Sequence, residues 1–147
     1  MSPTAVVYVP ELLGLRKRGG RSGSGLGLTT EVEKGLPLSA LDRLVHAVAP
    51  DDGSFAFRIV PRATLARRRA QGARLTPEES ARVARLAEVW AFARDVWKGD
   101  DDAARRWLFE PHMMLEDRRP VDVVLMNEFG RSSVEDILGR LKYGTGA

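Results

Sequence analysis

The chain has 147 residues, of which 44% are hydrophobic and 29% charged, so it can bury a core without disulfides or metal. It contains no cysteine, which excludes disulfides and any site built on thiolates. No apolar run approaches the roughly 20 residues that a membrane span needs, and AVVYV at residues 5–9 is too short for a signal-peptide core. We therefore expect a cytoplasmic protein with no membrane association.

The net charge of +3 is distributed unevenly along the chain. Residues 1–27 and 28–75 each carry +3, whereas residues 76–147 carry eleven basic and fourteen acidic side chains. Such a split is typical of two surfaces with two different partners, and a basic surface favours phosphate backbones. Chance variation of ordinary surface charge is the alternative.

Helical periodicity dominates from Leu28 onward, and Pro or Gly interrupts each run. The basic, Gly- and Ser-rich stretch RKRGGRSGSGLG at residues 16–27 cannot pack a core, so residues 1–27 are expected to form a flexible tail. Short helices are predicted at 29–34, 39–48, 54–59 and 62–71. A long helix is predicted at 77–98, and three more follow at 101–109, 120–127 and 132–142. The predicted fold class is all-α.

The long helix has the clearest local signals. Thr76 can cap its N-terminus, Pro77 suits the first helical position, and Glu79 completes a capping box. Its apolar side chains recur at spacings of three and four residues, so we expect its first turns to be amphipathic and its last three to be buried on most sides. We expect the C-terminal helices to pack against it. At about 22 residues it would span roughly 33 Å.

The last helix is expected to begin at Ser132, with Glu135 three residues later as a second capping box. Gly130 lies between two helical patterns, where it could take the positive φ of a helix C-cap. After Leu141 the chain ends in YGTGA, which is either a frayed terminus or a slim tail held in a fixed position by the helix before it.

Catalytic and metal-binding patterns are weak. His46 lies in a short helical pattern and His112 in a Pro-containing turn, and neither has a second ligand at a recognisable spacing. The three aspartates at 100–102 are better explained by the dipole of the following helix than by a cation. We therefore predict no enzymatic activity, no catalytic or metal-binding residue and no cofactor.

Three segments together carry a family resemblance: ATLARRRAQGARLTPEESARVARLAEVW, DAARRWLFEPHMMLEDRRPVDVV and FGRSSVEDILGRLKYG. Their order and spacing, from about Gly35 to the end, are similar to those of the Xre/MbcA/ParS class of antitoxins, the partners of RES-domain toxins. The chain departs from the family at Pro111-His112 and at EDRRP, where the family commonly shows Pro-Asn and a Gly-containing turn. Those departures concern local loop contacts.

The resemblance implies an antitoxin with two functional regions. Residues 28–75 would form a degenerate helix-turn-helix-like region for dimerisation and operator DNA binding, and residues 76–147 a toxin-binding helical domain. The RES-domain toxins consume NAD, and the antitoxin blocks access to their active sites. A homodimer within a larger toxin–antitoxin complex is expected. The residues expected to bind the toxin are Asn127, Glu128, Gly130, Arg131, Arg140, Lys142, Tyr143, Gly144, Thr145, Gly146 and Ala147.

The basic region supplies candidate DNA contacts, namely Arg58, Arg62, Arg67, Arg68, Arg69 and Arg74. Residues 67–69 are consecutive, so on a helix they splay over about 200° and cannot all face one groove. One or two could meet phosphate while another pairs with an acid. Pro61 falls where an intact helix-turn-helix needs a clean turn, so operator binding by this chain alone could be weak.

The resemblance also implies a function for the C-terminal segment YGTGA. Tyr143 could anchor at the mouth of the toxin's cleft while the small residues beyond it enter and the terminal carboxylate meets cationic groups of an NAD site. Two other classes of function stay open. A stand-alone transcriptional regulator would bind DNA tightly without a toxin, whereas a helical scaffold or adaptor would neither bind DNA nor neutralise a toxin.

Overall fold

A computed structural model describes residues 9–15 and 27–144 of the chain. Within these residues a helical turn at 9–12 and seven longer α-helices surround one hydrophobic core, without a named strand. The all-α prediction is therefore confirmed. The helices are α1 (Gly27–Lys34), α2 (Leu38–Val48), α3 (Arg62–Gln71), α4 (Pro77–Val96), α5 (Asp101–Phe109), α6 (Pro120–Met126) and α7 (Glu128–Tyr143). Two 3-10 turns, Phe55–Arg58 and Met113–Leu115, lie between them.

Helix α4 is the central element of the fold, as its pattern predicts. The Thr76 hydroxyl accepts the Glu79 backbone N–H at 3.1 Å, and the Glu79 carboxylate accepts the Thr76 N–H at 2.8 Å, which completes the capping box. Trp90 is fully buried at the middle of the helix. Helices α1, α2, α5, α6 and α7 all pack against α4. The helix ends at Val96 because Lys98 and Gly99 take positive φ values of 52° and 85°.

Residues 9–15 belong to the folded core rather than to a flexible tail. The side chains of Val9 and Leu13 are buried in the same hydrophobic cluster as the helices. Arg43 of α2 donates to the Leu12 carbonyl at 3.0 Å and so ties the turn to the domain. The few apolar positions of this short segment give too little pattern to separate it from the basic stretch that follows. Residues 1–8 and 16–26 lie outside the described residues.

The region before α4 differs from expectation at two points. The helix predicted at 54–59 is a single 3-10 turn, Phe55–Arg58, which buries only Phe55. Pro61 does not interrupt a helix, because it is the N-cap residue of α3 with φ −54° and the helix begins at the next residue. Its fixed φ and missing N–H are harmless at this position. Pro61 therefore does not prevent α3 from forming directly after it.

The start of the last helix is four residues earlier than predicted. Helix α7 begins at Glu128, and the Asn127 side chain caps it by accepting the Gly130 N–H at 2.9 Å. The capping box inferred at Ser132 and Glu135 was wrong, because both residues lie inside the helix. Asparagine is as good an N-cap residue as serine, and Asn127 takes that role. Gly130 is inside the helix and is not a C-cap with positive φ. Gly144, with φ 64°, ends the helix instead.

Candidate functional surfaces

The three consecutive arginines of α3 have three different environments, as the 100° spacing of a helix predicts. Arg68 pairs with Glu79 of α4, and both side chains are largely buried. Arg69 donates two hydrogen bonds to Asp42 of α2, at 2.7 and 3.1 Å, which raise its pKa while both side chains stay about half exposed. Arg67 lies on the side of α3 opposite the buried Leu65 and has no hydrogen bond or ion pair with another described residue.

The other three candidate DNA-binding arginines contact the protein itself. Arg58 pairs with Asp122 of α6, and the Arg74 guanidinium donates to the Gly35 carbonyl at 3.2 Å. The guanidinium of Arg62 lies 4.2 Å from the centre of the Phe57 ring, a cation–π contact. A groove of about 390 Å³ opens at this end of the domain. It is lined by Asp42, Val45, Gly53, Ala56, Phe57, Arg62, Leu65, Ala66 and Arg69.

These positions leave the DNA-contacting role of each arginine a prediction. Arg67 is exposed and Arg69 is half exposed in an ion pair that a phosphate could replace. Arg68 instead holds the buried end of the α4 capping box, because its partner Glu79 is 7% exposed and also accepts the Thr76 N–H. Mutating the three arginines together would therefore mix a surface effect with a structural one.

Several residues expected to bind the toxin have a structural contact within the chain. Asn127 caps α7, and Gly130 is packed against the Val123 carbonyl of α6 so closely that an added Cβ would lie 2.0 Å from its oxygen. Lys142 pairs with Asp95 of α4, and this ion pair raises the pKa of the Lys142 ammonium. These contacts fix both ends of α7 against the rest of the domain.

A network of charged side chains also holds the first turn of α7 against α4. Arg131 pairs with Glu88 of α4 at 3.0 Å and with Glu128 of its own helix at 3.2 Å. Arg85 is 8% exposed and donates to the Leu125 carbonyl at 3.2 Å, and burial lowers the pKa of its guanidinium. Burial also raises the pKa of Glu88, against the opposing effect of Arg131. The network joins α4 to the first turn of α7, so that turn has a defined orientation.

The outer side of α7 is exposed, and it includes residues that sequence reasoning named and one that it missed. Arg140, Tyr143 and Gly144 are exposed, whereas Thr145, Gly146 and Ala147 lie outside the described residues. Phe129 is 84% exposed in the first turn and was not predicted as a functional residue. The missed signal is the asparagine at 127, because a helix begun there places Phe129 on the outer face.

The two histidines lie in separate parts of the fold. His46 is exposed on α2, and the His112 ring accepts the Met114 N–H at 3.2 Å next to the Trp107 ring. The Asp100 side chain caps α5 by accepting the Ala103 N–H at 3.1 Å, and Asp101 and Asp102 lie in the first turn of that helix, where negative charge is favoured by the helix dipole. No helix in the described ranges 9–15 and 27–144 has the length and hydropathy to cross a membrane.

These features define an all-α protein with a helix-turn-helix region at its front and a second helical unit at its back. Residues 27–88 match the antitoxin Xre-like helix-turn-helix domain, and residues 92–144 match the antitoxin Xre/MbcA/ParS C-terminal toxin-binding domain. The boundary between the two matches falls inside α4.

Two relatives extend the similarity over most of the chain. An Antitoxin Xre of Yersinia enterocolitica is 33% identical over 130 residues, which cover 88% of this chain and 87% of that protein. An Antitoxin Xre of Photorhabdus laumondii is 30% identical over 125 residues, which cover 84% of this chain and 83% of that protein. The chain belongs to the Xre family of antitoxins, and the resemblance noted in its sequence is confirmed.

Proposed function

We propose that this antitoxin binds and neutralises a RES-domain toxin that consumes NAD, by blocking the toxin's active site. The observation that carries the proposal is the match of residues 92–144 to a toxin-binding domain, on a unit whose last helix is held rigidly and leaves its outer face exposed. The role is one of binding in the cytoplasm rather than catalysis. A homodimer, joined through the front region at 28–75, would place two such faces in one complex.

The boundary proposed between residues 75 and 76 separates two functional regions, but it does not separate two independently folded domains. Helices α1 and α2 pack on α4, and one hydrophobic cluster continues through both regions. The tests therefore keep residues 28–75 in every variant, because removing them would expose a large apolar side of α4.

The test of this function is reconstitution with the protein encoded by the neighbouring reading frame. We expect that protein to contain a RES domain, to co-purify with this chain and to lower cellular NAD when produced alone. Co-production of the antitoxin should return NAD to the level of cells without the toxin. Unchanged NAD loss, or failure of the two proteins to co-purify, would contradict the proposal.

We also propose that the antitoxin represses its own operon by binding operator DNA through α3. Arg67→Ala should weaken operator binding and make the negative slope of log K against log [salt] less steep by about 0.9, because one phosphate contact releases about that many counterions. The measurement is a fluorescence anisotropy titration of operator DNA at several salt concentrations. Toxin neutralisation should be unchanged, since Arg67 lies outside the toxin-binding match.

Arg106→Ala is a matched control for that substitution, because Arg106 is an exposed helical arginine in the other functional region. It should leave the salt slope unchanged. An equal slope for the Arg67→Ala protein and the parent would place the DNA-binding surface elsewhere. A tight operator complex without any toxin binding would instead favour the stand-alone regulator, and absence of both activities would favour the adaptor.

A further inference from the structure

The large apolar side chains that stay exposed are confined to one part of the described chain. They are Met113, Met114, Met126, Phe129, Leu141 and Tyr143. All six lie within residues 92–144, and the helix-turn-helix match at 27–88 contributes none. Single exposed hydrophobic residues are common on proteins, but the confinement of all six to one domain indicates that a surface covered in a complex lies in that domain and includes some of them.

Helix α7 arranges two of these side chains along a single line. Residues at spacings of four and three share one face of a helix, and here that face points away from the core. We call it the outer ridge, and it consists of Phe129, Ser133, Asp136, Arg140 and Tyr143, all exposed. From Phe129 to Tyr143 the ridge is about 21 Å long at 1.5 Å per residue. It thus has an aromatic side chain at each end and polar side chains between them.

The first aromatic position is held more firmly than its exposure suggests. Asn127 caps the turn that carries Phe129, and Gly130 packs that turn directly onto the Val123 carbonyl. The Ser133 hydroxyl donates to the Phe129 carbonyl at 3.1 Å. A rigid backbone that projects an uncovered aromatic ring loses little conformational entropy on binding, which is the property of an interface hot spot.

We propose that the outer ridge is the surface that docks on the toxin, with Phe129 as the main anchor in an apolar pocket of that protein. This inference rests on the proposed function, because it takes the toxin as the partner. Arg140 would face an acidic group of the toxin about 16 Å along the ridge from that pocket, and Tyr143 would mark the other end of the contact.

A second copy of this chain fits the ridge less well than the toxin does. A two-fold pairing that used both aromatic ends would run antiparallel and be centred on Asp136, which is midway between Phe129 and Tyr143. The two Asp136 carboxylates would then face each other at the middle of the contact, where like charges oppose association. The ridge also lies wholly within the toxin-binding match and not in the front region.

The test compares two full-length variants with the parent protein in binding to a catalytically inactive form of the toxin from the neighbouring reading frame. Phe129→Ala should weaken binding at least about 30-fold, mainly through faster dissociation, as loss of a hot spot does. Met113→Ala is the matched control, because Met113 is also 84% exposed in the same domain but lies off the ridge. It should change the dissociation constant less than about threefold. Both variants should keep the parent's circular dichroism, since neither side chain is packed.

The outcomes separate this inference from the proposed function. If the parent itself does not bind the toxin, both are overturned. If the parent binds and Phe129→Ala binds equally well, or if Met113→Ala loses as much affinity, the ridge is not the anchor although the toxin remains the partner. A change in oligomeric state of free Phe129→Ala by light scattering would assign the ridge to a second copy and would also overturn the inference.

Discussion

Deleting residues 143–147 should restore toxin-dependent NAD loss while the antitoxin stays folded. The deletion removes Tyr143, which is 66% exposed, and Gly144, the C-cap of α7, together with residues 145–147, which lie outside the described residues. It spares the Lys142–Asp95 ion pair and the buried side of α7. We propose that the small residues after Tyr143 enter the mouth of the toxin's active site. Their loss would then open the active site while the helix that precedes them stays in place.

The measurement is NAD consumption by the purified toxin at saturating concentrations of parent and truncated antitoxin. Saturation matters because loss of Tyr143 should weaken binding, while the proposed anchor at Phe129 is retained. Circular dichroism and light scattering should show the same helix content and the same oligomeric state for both proteins. Full neutralisation by the truncated protein would reduce YGTGA to a loose end, which is the other explanation of this segment.

The Phe129→Ala substitution and the deletion of residues 143–147 change opposite ends of α7 and should therefore give different defects. Phe129→Ala should still silence the toxin once enough antitoxin is added, because the residues after Lys142 are intact. The truncated protein should bind and yet fail to silence it at any concentration. A toxin that is blocked by the bulk of α7 alone would erase this difference, since both proteins would then neutralise it fully at saturation.

Sequence reasoning located helices well where local signals and periodicity agree. The starts and ends of α3 and α5 are as predicted from helical periodicity, and the start of α4 is as predicted from the Thr76–Glu79 capping box. The 3-10 turn at Phe55–Arg58 was overestimated as a helix. The apolar residues between Gly53 and Pro61 have helical spacing, but this segment is too short to form more than one helical turn.

The candidate site was harder to predict, because its residues were assigned by charge and position along the chain. Arg68, Arg131 and Lys142 read as surface cations, but each pairs with an acid from α4, at Glu79, Glu88 and Asp95 respectively. The paired residues are 11 to 47 positions apart in the chain. Pairs so far apart produce no periodic pattern in the sequence from which they could be predicted. Phe129 reads as one more apolar residue until the N-cap of its helix is known. Its exposure depends on that cap, and the cap was placed at Ser132, five residues too late.

Gly130→Ala should destabilise the protein by about 2–4 kcal/mol, through a clash that no side-chain rotation can relieve. The added Cβ would lie 2.0 Å from the Val123 carbonyl oxygen and 3.0 Å from its carbon, both of them backbone atoms of α6. Helices α6 and α7 would have to separate, which would disturb the packing of both helices against α4. In thermal unfolding we expect a decrease of about 5–15 °C in the melting temperature for a chain of this size.

Gly139→Ala is the matched control in the same helix, because nothing lies within 4 Å of the added Cβ. Alanine is the better helix former, so this substitution should stabilise the protein by about 0.5–1 kcal/mol and raise the melting temperature by about 2–4 °C. Opposite signs for one chemical change in one helix would show that contact with α6, and not helix propensity, requires glycine at 130. A Gly130→Ala protein as stable as the parent would mean that α7 does not approach α6 at this point. The fixed orientation of Phe129, which depends on that approach, would then lose its support.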